Sequence, residues 1–230
     1  MQTPIGEIVS ASVQDYLKTI YSQTRSGQPT STAALAEALE IRPASVTNML
    51  KKLAENQPDL LVYRKRGGVS LTPEGEQAAL RIIRRHRLIE QFLYQILDYP
   101  LDRIHQEAEE LEHVVSPYFI ERITQMLDDP AYDPHGHPIP DSNFVLNDTR
   151  NLTLLSALQP GQAGNVRQIT DQNPELLVYL RAIGIFPGAR IEIRQANPID
   201  GTLQIQVQDV NETNVLGEAI SKCIQVELTG

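Results

Sequence analysis

Two short helices followed by a basic hairpin constrain the fold of this chain more than any other feature. Thr30, Ser31 and Thr32 precede an alanine- and leucine-rich stretch, which predicts a helix capped by a hydroxyl side chain. Pro43 suits the first position of a second helix, predicted over residues 43–56. Two apolar strands, 60–63 and 69–71, flank the basic tip Arg64-Lys65-Arg66-Gly67-Gly68. This order predicts a winged helix-turn-helix, a fold that reads double-stranded DNA.

The second helix of this unit carries short polar side chains with basic flanks. Serine, threonine and asparagine can contact base edges in the major groove, whereas lysine and arginine hold phosphates. The alternative is a pair of ordinary packing helices with a solvated charged face, and the basic hairpin tip favours the DNA interpretation. The predicted DNA-contacting residues are Arg42, Ser45, Thr47, Asn48, Lys51, Lys52, Arg64, Lys65 and Arg66.

The net charge of −9 argues at first against a nucleic-acid partner. The basic residues nevertheless concentrate between positions 42 and 66, where only Glu55 and Asp59 are acidic. Exposed charges are screened beyond roughly 10 Å, so a local basic face can bind phosphates on an acidic protein. We expect the acidic remainder to suppress DNA binding until a cation neutralises it.

The rest of the chain divides into a helical part and a β part, so the fold class is mainly α with a β domain. We expect a winged-helix domain over 1–72, which opens with a helix at 9–24, and a helical domain over 73–128, with helices at 73–97, 101–115 and 117–127. Residues 129–150, rich in Pro, Asp, Gly and His, are predicted to be a linker. Short β segments at 165–169, 189–194, 203–208 and 223–228, with one helix at 174–183, predict an SH3-like β-barrel over 151–230.

Cysteine content and hydropathy indicate a cytoplasmic protein with no membrane partner. Cys223 is the only cysteine, so no disulfide can form within one chain. The start MQTPIGEIVS lacks the features of a secretory signal, and no apolar run approaches the roughly 18 residues of a membrane span. We expect no enzyme, because the chain has no His-Glu-x-x-His run and no recognisable nucleophile and base.

Histidines and carboxylates share helix faces in a pattern that predicts a metal site. His86 and Glu90 are four residues apart, while His105, Glu109, Glu112 and His113 follow at i, i+4, i+7 and i+8. Such spacings return to one helix face, so two helices can present nitrogen and oxygen ligands to each other. The alternative, a solvated acidic helix, suits Glu107 and Glu110, which lie off that face. Carboxylates with imidazoles and no thiolate favour hard divalent ions such as Mn²⁺ or Fe²⁺ over Zn²⁺.

Three stretches resemble the diphtheria-toxin-repressor and manganese-transport-regulator family of metal-dependent repressors: residues 15–21, 85–93 and 105–113, and the linker segment 133–140 is similar too. The resemblance covers nearly the whole chain. It implies an N-terminal DNA-binding domain, a helical metal-binding and dimerisation domain, a C-terminal SH3-like domain and a homodimer that binds a DNA operator. The long helix has more apolar residues than one narrow core stripe needs, namely Ile82, Ile83, Leu88, Ile89, Phe92, Leu93 and Ile96. Core within one chain is one explanation for them, and the resemblance favours a dimer.

The resemblance also implies two sets of metal ligands. Asp15 and Glu109 stand where manganese-responsive members have aspartate and glutamate, and where iron-responsive members have methionine and cysteine. The implied primary ligands are Asp15, His86, Glu109, Glu112 and His113. The implied ancillary ligands are Glu90 and His105, with the linker residues Asp133 and His135. Asp171 or Glu175 is the candidate ligand from the β domain, and the alternative for both is an acidic cap at the start of the 174–183 helix. Lys18 stands where one manganese-responsive regulator has a liganding glutamate, which argues against that kind of binuclear centre.

The sequence thus predicts a Mn²⁺-activated repressor of metal-uptake genes, in which the metal fixes the angle between the DNA-reading and dimerisation domains. An Fe²⁺-responsive repressor of the same family is the nearest alternative. A metal-transport accessory protein is an alternative from a different functional class, suggested by the resemblance of the β domain to the small domain of ferrous iron transport proteins. The basic wing argues against this alternative. A metalloenzyme that activates water is the remaining alternative.

Overall fold

The computed structural model describes residues 10–57 and 59–229, and its contacts divide the chain into two units. The first unit extends to Arg85 and includes Pro140–Val145, and the second comprises His86–Ile139 and the chain from Leu146 onward. The predicted start of the first helix at Val9 lies outside the described residues. No helix in the described part of the chain is long and apolar enough to cross a membrane.

The first unit has the predicted helix-turn-helix and hairpin. It contains α1 (Ala11–Thr24), α2 (Thr32–Ala38), α3 (Pro43–Asn56), and the antiparallel strands β1 (Leu61–Arg64) and β2 (Gly68–Leu71). The Ser31 side chain caps α2 by accepting a hydrogen bond from the Ala34 N–H, and Pro43 opens α3. One face of each helix is buried in a common apolar core, which holds the three helices against the hairpin.

The hairpin is anchored to the chain before α2. Thr30 and Val69 exchange both backbone hydrogen bonds at 2.9 Å. Gly68 has a φ of +79°, and a Cβ at this position would collide with the Thr30 carbonyl oxygen. Gly68, the last residue of the basic tip, is therefore required for the hairpin to pair with the chain before α2.

The helices of the second part of the chain end earlier than predicted. α4 (Pro73–Gln95) opens with Thr72, whose hydroxyl accepts a hydrogen bond from the Gly75 N–H, and stops two residues short of the expected end. α5 (Ile104–Leu111) and α6 (Pro117–Met126) follow. Glu112 is the C-terminal cap of α5, and His113 lies in the turn after it, so these two ligand candidates lie at a helix end rather than in mid-helix.

The C-terminal segment forms one antiparallel sheet, which confirms the predicted fold class. Its strands are β3 (Leu152–Leu154), β4 (Ala163–Ile169), β5 (Arg190–Ala196), β6 (Leu203–Val207), β7 (Thr213–Leu216) and β8 (Ile224–Thr229), with α7 (Pro174–Ala182) and α8 (Glu218–Ser221) between them. The order is β3-β8-β4-β5-β6-β7, and β3 and β7 do not pair with each other in the described chain. The sheet is therefore open where the sequence predicted a barrel.

The predicted linker contains buried side chains, and all of it except Pro140–Val145 belongs to the second unit. Apart from one isolated bridge between Tyr132 and Pro138, it has no regular structure, yet Asp133 is only 5% exposed and His135 is fully buried. The Arg150 guanidinium stacks on the Tyr132 ring at 3.8 Å and donates to the Gly136 carbonyl at 2.9 Å. Side-chain donors thus satisfy linker carbonyls that would otherwise need water.

Candidate metal centre

His86 lies between two fully buried carboxylates. Its Nε2 is 3.0 Å from Oε1 of Glu90, one turn further along α4, and its Nδ1 is 2.6 Å from Oε2 of Glu112, at the end of α5. Glu90 and Glu112 are both 0% exposed. A solvated acidic face does not bury carboxylates completely, so the helix spacing does bring ligand-type groups together as the sequence predicted.

Three further predicted ligands contribute to this cluster from α5 and the turn after it. His105 Nδ1 lies 3.1 Å from Glu90 Oε1 and 3.2 Å from His86 Nε2. Glu109 Oε1 is 3.7 Å from His105 Nε2, and His113 Nε2 is 3.6 Å from Glu112 Oε1. One ligand atom each of His86, His105 and Glu109 lies within 4.8 Å of the others. We call these three residues, together with His86, Glu90 and Glu112, the helical cluster.

The electrostatics of the helical cluster favour a positive charge at its centre. Burial disfavours protonated His86, but Glu90 and Glu112 outweigh this effect and raise the pKa of His86 from 6.5 to about 10. Burial likewise disfavours ionised Glu90, yet His86 and His105 hold the pKa of that carboxyl well below its usual value. In the metal-free protein, a proton on His86 therefore supplies part of the charge that the carboxylates require.

One oxygen of Glu90 has no hydrogen-bond donor among the described residues. Oε2 of Glu90 is buried and accepts no hydrogen bond from the described residues, and leaving such an atom unsatisfied is energetically costly. Imidazole nitrogens and carboxylate oxygens are the donors that divalent transition ions accept. The donor set and the unsatisfied oxygen both fit a divalent metal.

The C-terminal segment contributes Gln172 to this region, a residue that the sequence analysis missed. Its Nε2 lies 3.5 Å from Glu90 Oε1 and 3.3 Å from His135 Nδ1. Asp171 and Glu175, the predicted contributors, are both exposed. The Asp171 carboxylate accepts from the Asn173 N–H, and Glu175 lies in the first turn of α7, but the residue that caps α7 is Asn173, whose side chain accepts from the Leu176 N–H. Gln172 was missed because a neutral amide between the acidic candidates Asp171 and Glu175 does not stand out as a metal ligand in the sequence.

The linker places Asp133 and His135 next to a third residue, His137. One ligand atom of each lies within 4.8 Å of the others. His135 Nδ1 is also 3.9 Å from Glu90 Oε1, so its ring lies beside the helical cluster. The two linker residues predicted as ancillary ligands thus have a neighbour that the sequence analysis did not single out.

The remaining predicted residues lie in the first unit. Asp15 is half-buried on α1, and its role as a ligand stays a prediction. The exposed side chains include, on and next to α3, Arg42, Ser45, Asn48, Lys51 and Lys52 and, at the hairpin tip, Arg64, Lys65 and Arg66. Thr47 is half-buried, and its hydroxyl donates to the Pro43 carbonyl at 3.0 Å. The hydroxyl that was predicted to contact a DNA base is therefore hydrogen-bonded within α3.

Comparisons with known proteins find relatives for each of the three parts of the chain. Residues 9–69 match the iron dependent repressor N-terminal DNA binding domain, 72–141 its metal binding and dimerisation domain, and 153–228 the FeoA domain. The chain is 30% identical over 189 residues to the iron-dependent repressor IdeR of Mycobacterium tuberculosis (strain ATCC 25618 / H37Rv), covering 77% of this chain and 81% of that protein. It is 36% identical over 116 residues to the regulator MntR of Lysinibacillus sphaericus (strain C3-41), covering 50% and 81%. A solved manganese-dependent transcriptional repressor in complex with manganese superposes with a TM-score of 0.84 at 34% identity, covering 94% of this chain and 99% of that one.

Proposed function

From the premise that this chain belongs to the iron-dependent repressor family, and is a metal-dependent transcriptional repressor, we propose that Mn²⁺ is the metal that activates it. The observation that carries the proposal is the helical cluster, in which Glu90 and Glu112 are buried around His86 with nitrogen and oxygen donors only. Such a donor set suits a hard divalent ion better than one that prefers thiolate.

The residues at two positions favour manganese over iron. By the family resemblance, Asp15 and Glu109 occupy positions at which manganese-responsive members have aspartate and glutamate. Both side chains offer oxygen atoms as metal ligands. Cys223, the only thiol, belongs to the C-terminal segment, where its Sγ donates to the Ala219 carbonyl. The named relatives include both iron- and manganese-dependent regulators, so the choice between the two metals rests on the donor atoms.

We further propose that the ligands form two sets that share the helical cluster. Asp15, His86, Glu109, Glu112 and His113 are the primary ligands, and Glu90 and His105 belong to a second set, to which Gln172 is a neighbour. A bound divalent cation supplies charge that neutralises these carboxylates. The protein's own contribution is to hold the donors in place, since His86 is fixed by Glu90 on one ring nitrogen and by Glu112 on the other.

The DNA operator is bound, in this proposal, by the exposed face of α3 and the basic hairpin tip of a homodimer. The apolar residues first assigned to the dimer are mostly core, because Ile82, Ile83, Leu88, Ile89 and Leu93 are all buried within the chain. The exposed apolar side chains of α6 and its approach are better candidates, since Val114 is 77% exposed and Tyr118 is 70% exposed. Exposed apolar groups of this size on one segment are typical of a subunit interface.

The test measures binding of the full-length protein to fluorescent DNA from its own promoter, with Mn²⁺, anaerobic Fe²⁺, Zn²⁺ or a chelator. We expect affinity to rise with Mn²⁺ and to fall to the non-specific level in chelator. Glu109→Gln should abolish the Mn²⁺ response, whereas the matched control Glu110→Gln, an exposed neighbour, should keep it. Equal affinity with every metal and with chelator contradicts metal activation, and a response to Fe²⁺ alone contradicts manganese.

The metal choice has its own test in a double variant. Asp15→Met with Glu109→Cys replaces two hard oxygen donors by sulfur. We expect this variant to lose the Mn²⁺ response and to gain one to Fe²⁺. A variant that still responds to Mn²⁺ as the wild type does contradicts the assigned role of these two residues.

A further inference from the structure

We propose that residues Pro140–Val145 form a strap that fastens to α4 within the first unit, and that release of this strap raises the metal concentration needed for DNA binding. The strap belongs to the first unit, although the residues on both sides of it belong to the second. The chain therefore leaves the first unit after Arg85, returns at Pro140 and leaves again after Val145. The strap requires the metal-dependent DNA binding of the family but not the choice of manganese.

Hydrogen bonds inside the strap close it into a turn. The Asp141 N–H donates to the Val145 carbonyl at 2.9 Å, and the Phe144 N–H donates to the Asp141 carbonyl at 2.9 Å. Oδ1 of Asp141 accepts from the backbone N–H groups of Asn143 and Val145, at 2.8 and 2.9 Å. These bonds all lie within the strap, so its attachment to the rest of the unit comes from other contacts.

Two arginines of α4 attach the strap to the helix. The Arg81 guanidinium lies over the Phe144 ring, 4.6 Å from its centroid, and Arg84 Nη1 donates to the Pro140 carbonyl at 2.5 Å. Positions three apart share a helix face, so one face of α4 holds the strap near both of its ends. Nε of Arg81 is buried and forms no hydrogen bond with the described residues, which leaves the ring as the group that holds this guanidinium.

Phe144 has a backbone conformation that a bulky residue rarely adopts. Its φ is +61°, in the left-handed region that favours glycine. Such strain persists only where surrounding contacts determine the conformation, and it is common in clamps and switches. The contact with Arg81 offsets this strain, and loss of the contact therefore favours release of the strap.

The strap contacts α4 where the helix passes from one hydrophobic core to the other. Ile82 belongs to the core of the first unit, and Leu88 belongs to the core of the second. Arg81 and Arg84 lie at the start of this stretch, and His86, a proposed metal ligand, lies within it. A fastened strap restricts the helix just before that ligand. It thereby reduces the conformational freedom that metal binding must otherwise remove.

The expected size of the effect follows from the contact between Arg81 and Phe144. A cation–π contact changes the equilibrium between fastened and released strap by roughly two- to thirtyfold. Because metal acts on molecules with a fastened strap, the apparent metal dissociation constant rises in inverse proportion to their fraction. Loss of the contact should therefore raise the metal concentration at half-maximal DNA binding by at most the same factor. Saturating metal draws every molecule into the fastened state, so DNA affinity there should match the wild type.

The first experiment measures amide hydrogen exchange of the full-length protein in chelator, in the peptide that covers the strap. Hydrogen bonds protect the Phe144 and Val145 amides in the fastened strap. We expect Arg81→Gln and Phe144→Leu to exchange roughly two- to thirtyfold faster than the wild type. Phe144→Tyr, which keeps a ring for the guanidinium, should exchange at the wild-type rate. The matched control is Arg194→Gln, which removes an exposed arginine that pairs with Glu192 on β5, and it should also leave the rate unchanged.

The second experiment measures binding of fluorescent promoter DNA to the full-length protein, titrated once with Mn²⁺ and once with anaerobic Fe²⁺. We expect Arg81→Gln and Phe144→Leu to need more of the activating metal for half-maximal binding, by no more than the factor found in hydrogen exchange. Phe144→Tyr should need the wild-type concentration. A loss of affinity at saturating metal, with the half-maximal concentration unchanged, assigns Arg81 to DNA contact instead and overturns the strap.

Circular dichroism establishes that each variant is folded before its exchange is measured. Wild-type exchange rates in folded Arg81→Gln and Phe144→Leu overturn the strap, and so does a wild-type metal requirement in both. A wild type that responds to Fe²⁺ but not to Mn²⁺ contradicts the manganese proposal alone, because the Fe²⁺ titration then tests the strap.

Discussion

Raising the pH should destabilise the metal-free protein through one residue, His86. Its folded pKa of about 10 exceeds the value of 6.5 expected in the unfolded chain, because Glu90 and Glu112 stabilise the protonated ring more than burial penalises it. A group whose pKa is raised on folding stabilises the native state fully below its unfolded pKa. This contribution is lost progressively as the pH rises from 6.5 towards 10.

The size of the effect follows from the same two pKa values. A shift from 6.5 to about 10, at about 1.4 kcal/mol per pKa unit, sets a ceiling of roughly 5 kcal/mol on the contribution of the protonated His86 ring to the free energy of unfolding. The lowered pKa of Glu90 describes the same ion pair from the other side, so the two contributions are not added. A domain is stable by only about 5–15 kcal/mol, so a contribution near this ceiling would be a large share of the stability of the metal-free state.

The assay is urea denaturation of the wild type and His86→Gln, with chelator present, at intervals across the range between these two pKa values. Tyrosine and lysine ionisation affect both proteins, so the informative quantity is the difference between their free energies of unfolding. We expect that difference to be largest at the acidic end and to shrink by at most about 1.4 kcal/mol per pH unit towards the alkaline end. A difference that stays constant across the range refutes the assigned ion pair.

Four further predictions concern the metal, the fold and the dimer. Metal binding at the helical cluster should displace the His86 proton, so the Mn²⁺ dissociation constant should fall about tenfold for each unit of rising pH, as long as the pH is below the raised pKa. Calorimetry in buffers of different ionisation enthalpy would detect the released proton. A dissociation constant that does not depend on pH argues against His86 as a ligand. Gln172→Glu should tighten Mn²⁺ binding and lower the unfolding temperature of the metal-free protein, because it places a second carboxylate beside Glu90, whereas equal effects with and without metal contradict its position. Leu50→Ala should lower the free energy of unfolding by about 2–5 kcal/mol, since Leu50 is fully buried between α3 and its neighbours, and a loss below about 1 kcal/mol in urea denaturation contradicts this packing. Tyr118→Glu should shift the protein to monomers in sedimentation velocity while leaving its circular dichroism unchanged, and an unaltered dimer moves the interface elsewhere.

Local sequence signals predicted the elements whose causes are local. Helical periodicity, the Ser31 cap and the proline at position 43 located α2 and α3, and alternation located β5 and β6. The edge strands β3 and β7 were missed, because they have three and four residues and bury too little of their surface to show a pattern of period two. The early end of α5 was missed for a similar reason, since Glu112 caps the helix while remaining on its ligand face.

Long-range contacts explain what the sequence could not predict about the linker. The content of Pro, Asp, Gly and His predicted a linker, and that composition identifies no packing partner. Arg150 and Arg87 instead donate to the Gly136 and Pro138 carbonyls, and neither arginine is identifiable as a partner from local sequence. Gln172 is a comparable case, because only the folded chain brings its amide near Glu90. Arg87 is 51 residues from Pro138 and Gln172 is 82 residues from Glu90, so these two contacts join residues that are far apart in sequence.

The helical cluster also shows why two ligand sets that are separable in sequence need not act separately. The family resemblance implies that Glu112 belongs to one set and Glu90 to the other, yet His86 contacts both, at 2.6 Å through Nδ1 and 3.0 Å through Nε2. A neutral imidazole has one lone pair and one N–H, so a ligand role for either nitrogen fixes the proton on the other. Occupation of one set through one ring nitrogen therefore leaves the proton on the other nitrogen, so neutral His86 does not ligate a metal in both sets at once. We expect the two sets to be coupled through this ring, and His86→Gln, rather than loss of any single carboxylate, to be the change that uncouples them.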